Sequence, residues 1–236
     1  MRSEPVRPAT SVSIPLLCFA LLIAAICSGC GEPPPLDMGL LTGEPCEPPC
    51  FRGLTPGVST HEEVNQFVRT SGFVNPQSLF RSTFTRLTRS GEEVAGVGIY
   101  WHSRAGGIGR RNHFSIEGGV LKDITINPDY TLTLGRLIDR YGPPEKYRAI
   151  LPIGGPLYYD VTLYYPTHGF TVDLVVPYDD GTLQPESTVA DVWYFRAAPL
   201  ERFLELRREA GMGGPTPARL LELLHDWEGY GPIELD

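Results

Sequence analysis

The sequence is poor in lysine and contains no cluster of basic residues. Its 236 residues include 20 Lys and Arg against 28 Asp and Glu, so the formal net charge is −8. Lys122 and Lys146 are its only lysines, and no basic run is longer than two residues. An acidic chain without a basic patch lacks the electrostatic footprint of a nucleic-acid binder. We therefore expect no nucleic-acid partner.

Familiar catalytic and metal-binding motifs are also missing. The chain has no H-E-x-x-H, no G-x-S-x-G and no S-x-x-K segment. Residues 106–111 are rich in Gly and Arg but lack the Gly-Lys-Ser/Thr ending of a phosphate-binding loop. Residues 179–181 lack the regular oxygen ligands of a calcium loop. We expect a hairpin loop and a turn there, and we expect no cofactor, no metal site and no catalytic residue.

Histidines supply the one alternative to that expectation. The chain has five histidines, and two of them, His102 and His113, flank one loop and could meet across it. Together with an acidic group they could bind a metal or act as a base. As ordinary residues on the polar side of two strands they would have no such role. The alternative function is therefore an envelope hydrolase or inhibitor-like domain with a site near His102 and His113.

The chain also lacks an apolar run long enough to span a membrane as a helix. Residues 14–26 are apolar except for Pro15 and Cys18, whereas a spanning helix needs about 20 apolar residues. A short apolar run behind Arg2 and Arg7 is typical of a secretory signal peptide.

The end of this run, Ser28-Gly29-Cys30, resembles the lipobox of bacterial lipoproteins. Cys27 occupies the position where that family favours leucine. The resemblance implies that residues 1–29 are a lipoprotein signal peptide and that Cys30 carries the lipid, which anchors the chain on the extracytoplasmic face of the cell membrane or envelope. The alternative is an uncleaved anchor, or an ordinary signal peptide with incidental cysteines.

Residues 30–50 are rich in proline, and we predict that they form an extended tether. Cys46 and Cys50 lie in this segment, and an exported protein would expose them to an oxidising compartment. We predict a disulfide between them. The alternative is a metal or redox pair, but no histidine or second cysteine pair lies nearby and two prolines separate the cysteines.

Helix and strand patterns begin near Phe51. Thr60 and Glu63 form a predicted capping box at the start of a helix. Thr133 is a predicted N-cap of a second helix, which Gly142 ends. Alternating apolar residues predict four strands after each helix, at residues 79–88, 94–102, 112–117, 120–126, 146–152, 157–165, 169–176 and 188–196.

The order of these elements repeats, since Thr60 and Thr133 lie 73 residues apart. We therefore predict an α+β fold in which residues 51–236 form one globular domain. It would contain two tandem helix-plus-antiparallel-sheet modules, at about 51–128 and 129–197, followed by C-terminal helices at 198–228.

The first helix start resembles that of the SmpA/OmlA-type envelope lipoproteins. The matching residues in LTPGVSTHEEV are Pro56, Gly57, Val58, Thr60, Glu63 and Val64. The tandem order of helix and sheet is similar to the beta-lactamase-inhibitor-protein fold. These resemblances imply an α+β binding scaffold exposed in the envelope, and they carry over no functional residue.

Aromatic residues crowd the second predicted sheet. Tyr158 and Tyr164 share the polar face of one strand, and exposed tyrosines are effective in binding surfaces because they lose little entropy. The alternative is that both faces of that sheet are covered, one of them by the helices. We expect a membrane-anchored extracytoplasmic lipoprotein that presents a non-catalytic protein- or ligand-binding domain. Its partners would be the membrane, through Cys30, and an envelope protein.

Overall fold

The computed structural model describes residues 38–87, 91–103, 111–151, 158–211 and 214–235. Within these ranges the strands are β1 (Phe80–Leu87), β2 (Glu93–Trp101), β3 (Asn112–Glu117), β4 (Val120–Ile126), β5 (Lys146–Ile150), β6 (Tyr158–Tyr165), β7 (Phe170–Pro177), β8 (Thr182–Leu183), β9 (Val189–Tyr194), β10 (His225–Asp226) and β11 (Gly231–Pro232). The α-helices are α1 (Met38–Thr42), α2 (His61–Thr70), α3 (Leu134–Tyr141), α4 (Leu200–Glu209) and α5 (Pro217–Glu222). Short 3-10 helices lie at Pro76–Ser78 and Pro166–His168.

Nine of these strands form one antiparallel sheet. Their order is β1-β2-β3-β4-β9-β7-β6-β5-β10, while β8 pairs separately with β11. The prediction of an α+β fold with two tandem helix-plus-sheet modules is therefore wrong, because the chain has a β-rich fold built on one large sheet with few, short helices. The physical reason is the pairing of β4 with β9, which hydrogen-bonds the two groups of strands into a single sheet.

Apolar residues in register cover one face of this sheet, which we call the apolar face. Consecutive strand partners in its central row are Ile99, Phe114, Ile124, Tyr194, Phe170 and Tyr165, and all are buried. Phe67 of α2 packs edge-on against Trp101 and Phe114. Tyr141 of α3 packs in the same way on Tyr165 and Phe170. The main core lies between these helices and the sheet.

Side-chain caps start both helices where the sequence predicts them. Thr60 and Glu63 form a complete capping box, and the Thr133 hydroxyl accepts the backbone N–H of Arg136. Gly142 ends α3 with a φ of 76°, which favours glycine because it has no Cβ. These three predictions are confirmed.

The C-terminal region departs from the predicted pair of helices. The helix that begins after Thr216 ends at Glu222, and residues 225–226 form the short strand β10 against β5. Trp227, which lies within the predicted C-terminal helices at 198–228, packs edge-on against Tyr147 at 6.3 Å between ring centroids. This segment pairs with the open edge of β5, and that tertiary contact overrides its local helix propensity.

Residues 38–50, which composition predicts to be tether, instead pack on the domain. Leu40 of α1 is only 1% exposed and belongs to the main core. The Tyr141 hydroxyl donates a hydrogen bond to the Leu40 carbonyl, and Arg140 forms an ion pair with Glu47. The apolar residues of α1 anchor the segment despite the prolines around it. Residues 30–37 of the predicted tether lie outside the described residues.

The predicted disulfide is confirmed. Cys46 and Cys50 are bonded, with their Cα atoms 5.7 Å apart. The bridge closes a short loop within the docked segment. It therefore lies next to the residues that attach this segment to α3.

We expect Leu40→Ala to lower the free energy of unfolding by about 2–4 kcal/mol, because it removes a buried side chain and leaves a cavity. Leu235→Ala is the matched control, since Leu235 is 45% exposed. Urea unfolding of both variants measures the difference. Equal, small effects in the two variants would show that α1 does not contribute to the core.

Candidate functional site

Polar and aromatic side chains line the opposite face of the sheet, which we call the polar face. One row crosses seven strands through direct partners, namely Phe80, Tyr100, His113, Thr125, Trp193, Thr171 and Tyr164. We call it the cross-sheet row. Because paired residues point to the same side of a sheet, these side chains form one continuous line.

The β1 end of the cross-sheet row is aromatic and open to solvent. Phe80 is 51% exposed, and its ring centroid lies 5.9 Å from that of Tyr100. The imidazole of His113 stacks on the other side of this group, 4.4 Å from the Tyr100 centroid. A Cβ added at Gly98 would lie 2.8 Å from the Tyr100 ring, so glycine allows this ring to lie flat on the sheet.

His113 approaches a buried carboxylate on the neighbouring strand. His113 Nδ1 lies 3.8 Å from Asp123 Oδ1, which is longer than a hydrogen bond. Asp123 is 2% exposed, and Ser115, its direct partner on β3, hydrogen-bonds to it. Burial raises the pKa of Asp123 to about 7, an effect that the Ser115 hydrogen bond opposes and the negative charge of Glu117 reinforces. Burial lowers the pKa of His113 to about 4, so His113 is neutral at neutral pH.

A second carboxylate on the polar face is paired. Glu117 lies on β3, two residues beyond Ser115, and its side chain is almost fully buried. Arg86 of β1 reaches across β2 and donates from Nε and Nη2 to the two Glu117 oxygens, at 2.9 and 2.5 Å. This bidentate contact compensates for the burial of the carboxylate.

Several buried polar atoms near the middle of the cross-sheet row have no hydrogen-bond partner among the described residues. They are His113 Nε2, Asp123 Oδ2, Thr125 Oγ1, Trp193 Nε1 and Thr171 Oγ1. Such atoms are costly to bury without a partner, and they include both donors and acceptors. Because these atoms are themselves covered, enclosed water is the partner that could satisfy them.

Helix α4 covers the other end of the row. Tyr164 is 1% exposed, and Arg207 Nη1 donates a 2.8 Å hydrogen bond to its hydroxyl. Phe203 packs edge-on against Phe195 beside it. Tyr164 therefore lies inside the protein rather than on a binding surface, which agrees with the covered-face alternative at this position. Tyr158, six residues earlier on β6, is half-buried.

The structure does not bring His102 to His113. His102 lies just after β2, where its backbone N–H donates to Ser78 Oγ and its carbonyl accepts from the N–H of Asn75. In the described part of the chain, no hydrogen bond, ion pair or ring contact joins the two histidines. No described hydroxyl or thiol hydrogen-bonds to His113 either, since Ser115 is engaged with Asp123.

Neither a metal centre nor a membrane span is found across the described ranges. They contain no group of three or more His, Cys, Asp or Glu side chains arranged to hold a metal ion. No helix within them is both long and apolar enough to cross a bilayer.

Sequence reasoning found His113 but missed Asp123, Glu117 and Arg86. Residues 113, 115 and 117 share one parity on β3, so alternation alone could have grouped His113, Ser115 and Glu117 on one face. Asp123 could not be added without knowing that β4 pairs with β3 through an irregularity in register between Ser115 and Ile116.

Comparisons with protein-family models, with curated proteins and with solved structures find no significant match to this chain. The geometry of the polar face and the sequence motifs are therefore the grounds for a functional proposal.

We expect Asp123→Asn to become more stable relative to the original protein as pH rises from about 4 to 8, by an amount on the order of a few kcal/mol. The folded-state pKa of Asp123, about 7, lies above the ordinary value of 3.8, so the proton stabilises the fold at low pH. That stabilisation is lost as pH rises through 7. The lowered pKa of His113 has the opposite effect, but it is present in both proteins.

Urea unfolding across this pH range measures the difference between the two proteins. Asp179→Asn is the control, because Asp179 is exposed in the turn after β7. Stability curves of Asp123→Asn and the original protein that stay parallel from pH 4 to 8 would contradict the assignment of Asp123 as a buried titrating group.

Proposed function

We propose that this chain is an extracytoplasmic lipoprotein, anchored by lipid at Cys30, whose domain binds a partner without catalysing a reaction. The observation that carries the anchor is the sequence Ser28-Gly29-Cys30 after a short apolar run. The Cys46–Cys50 disulfide supports export, because disulfides persist in oxidising compartments.

The docked position of α1 limits how far the domain can lie from such an anchor. Met38, the first residue of α1, follows Cys30 by eight residues. Eight residues span at most about 29 Å when fully extended. The proposed protein therefore works close to the membrane surface, and its partner would be another envelope component.

The polar face supports binding more than catalysis. Asp123 is buried, His113 is mostly buried, and the two lie too far apart for a hydrogen bond. No described nucleophile contacts His113. General-base chemistry needs both a hydrogen-bonded geometry and access to substrate. A hydrolase at His102 and His113 gains no support from this arrangement, whereas an exposed aromatic end beside buried polar groups is a common composition for a binding surface.

We expect Cys30→Ser to abolish incorporation of a labelled fatty acid when the full chain is expressed in a bacterial host. The serine hydroxyl does not replace the thiol that takes the lipid. Gel fluorescence after metabolic labelling with an alkyne fatty acid, together with membrane fractionation, measures the effect.

Cys18→Ala is the matched control, because Cys18 lies in the apolar run, twelve residues before the proposed modification site. It should retain the label. Labelling that persists in Cys30→Ser, or that is lost equally in both variants, would refute the assignment of Cys30.

A further inference from the structure

Strand β1 forms a long, regular edge of the nine-stranded sheet. It pairs with β2 over eight consecutive residue pairs without a bulge, and no other described strand pairs with its outer side. The opposite edge of the sheet ends in β10, which has two residues. Natural proteins usually protect sheet edges with proline, bulges, lysine or very short strands. β1 contains no proline and no lysine, and its only charged residues are Arg81 and Arg86.

A groove of about 320 Å³ runs beside β1 on the apolar face. Its floor contains Thr83, Val97 and Ile116, which are direct partners across three strands. His61 of α2 and the turn at residues 118–119 also line it. Helix α2 packs over Trp101 and Phe114 and leaves this part of the sheet open. The groove therefore suits small apolar side chains that project from a neighbouring strand.

The positive charge of Arg81 favours an acidic partner segment. It pairs with Ile99 and so points to the same face as the groove, where its side chain is exposed and donates to Asn65 Oδ1 at 3.1 Å. Opposite charges directly across an antiparallel pair are stabilising, and like charges are destabilising. A residue added opposite Arg81 is therefore favoured when it is acidic.

A second copy of this chain would not supply that acidic residue. Residues paired across two antiparallel strands point to the same face, so a second β1 would place a residue of the groove face, such as Thr83 or Thr85, opposite Arg81. No residue of β1 is acidic.

We propose that the outer edge of β1 accepts an extended acidic segment of a partner protein by strand addition. Backbone groups of the segment hydrogen-bond to β1, an apolar side chain opposite Thr83 enters the groove, and a carboxylate lies opposite Arg81. This inference names the partner class for the binding role proposed above and rests on that role, but it does not depend on the lipid at Cys30.

The test uses the full chain in detergent and the fluorescent peptide Thr-Glu-Thr-Val-Val-Thr-Glu-Thr with blocked ends. In the antiparallel register its valines face Thr83 and Phe84, and its glutamates face Arg81 and Arg86. Fluorescence anisotropy measures affinity, and hydrogen exchange measures protection of the β1 amides. A peptide with lysine at both glutamate positions tests charge, and one with proline for the first valine tests backbone pairing.

We expect the glutamate peptide to bind and to protect β1, and both control peptides to bind more weakly. In Arg81→Glu the preference should reverse, with the glutamate peptide roughly three- to tenfold weaker and the lysine peptide stronger by a similar factor. Arg219→Glu on α5, which is also exposed but does not lie on the β1 edge, should change neither affinity. Circular dichroism verifies that both variants fold.

Any of three results would overturn the inference. They are no binding of the glutamate peptide, peptide affinities that do not change with the charge at residue 81, and protection from hydrogen exchange at amides other than those of β1. Each would leave the Cys30 labelling result unaffected, so failure at β1 is distinguishable from failure of the lipoprotein proposal. Concentration-dependent dimers in sedimentation, with β1 protected in the absence of peptide, would identify a second copy as the occupant and also overturn it.

Discussion

The pairing of β4 with β9 is the contact on which the rest of the structure depends. Three residue pairs, Ile124 with Tyr194, Thr125 with Trp193 and Ile126 with Val192, hydrogen-bond two groups of strands into one sheet. Because side chains alternate along a strand, this single register fixes two faces at once. The apolar face receives α2 and α3, and the polar face receives the cross-sheet row. A shift of one residue in β9 would send Trp193 to the core and Tyr194 to the polar side.

Local signals explain why much of the fold is predictable from sequence. The caps at Thr60 and Thr133, the glycine at residue 142 and the alternation along the eight long strands act over a few residues, and each appears where expected. The joining of the two sheets is a contact between residues about 70 positions apart, and no local pattern encodes it. The same limit applies to residues 225–226, which extend the sheet at β5 instead of a helix.

The candidate site is likewise predictable from sequence only where local patterns determine it. Alternation places His113 on the polar face, but the burial that lowers its pKa and raises that of Asp123 comes from packing on several strands. Composition predicts a tether at residues 38–50, because residues 31–50 contain six prolines. The two leucines of α1 instead pack in or against the main core and attach the segment to the domain. Tyr164 illustrates the reverse case: its parity is polar, yet α4 covers it and supplies Arg207 as a partner.

The docked N-terminal segment and the β1 edge lie at separate places on the sheet. Pro49 lies against Gly169, at the start of β7, and Arg140 and Tyr141 hold the same segment to α3. Five strand spacings separate β7 from β1, which is about 24 Å across the sheet. A strand added at the outer edge of β1 would therefore leave the docked segment uncovered, so that the two surfaces could be occupied at the same time.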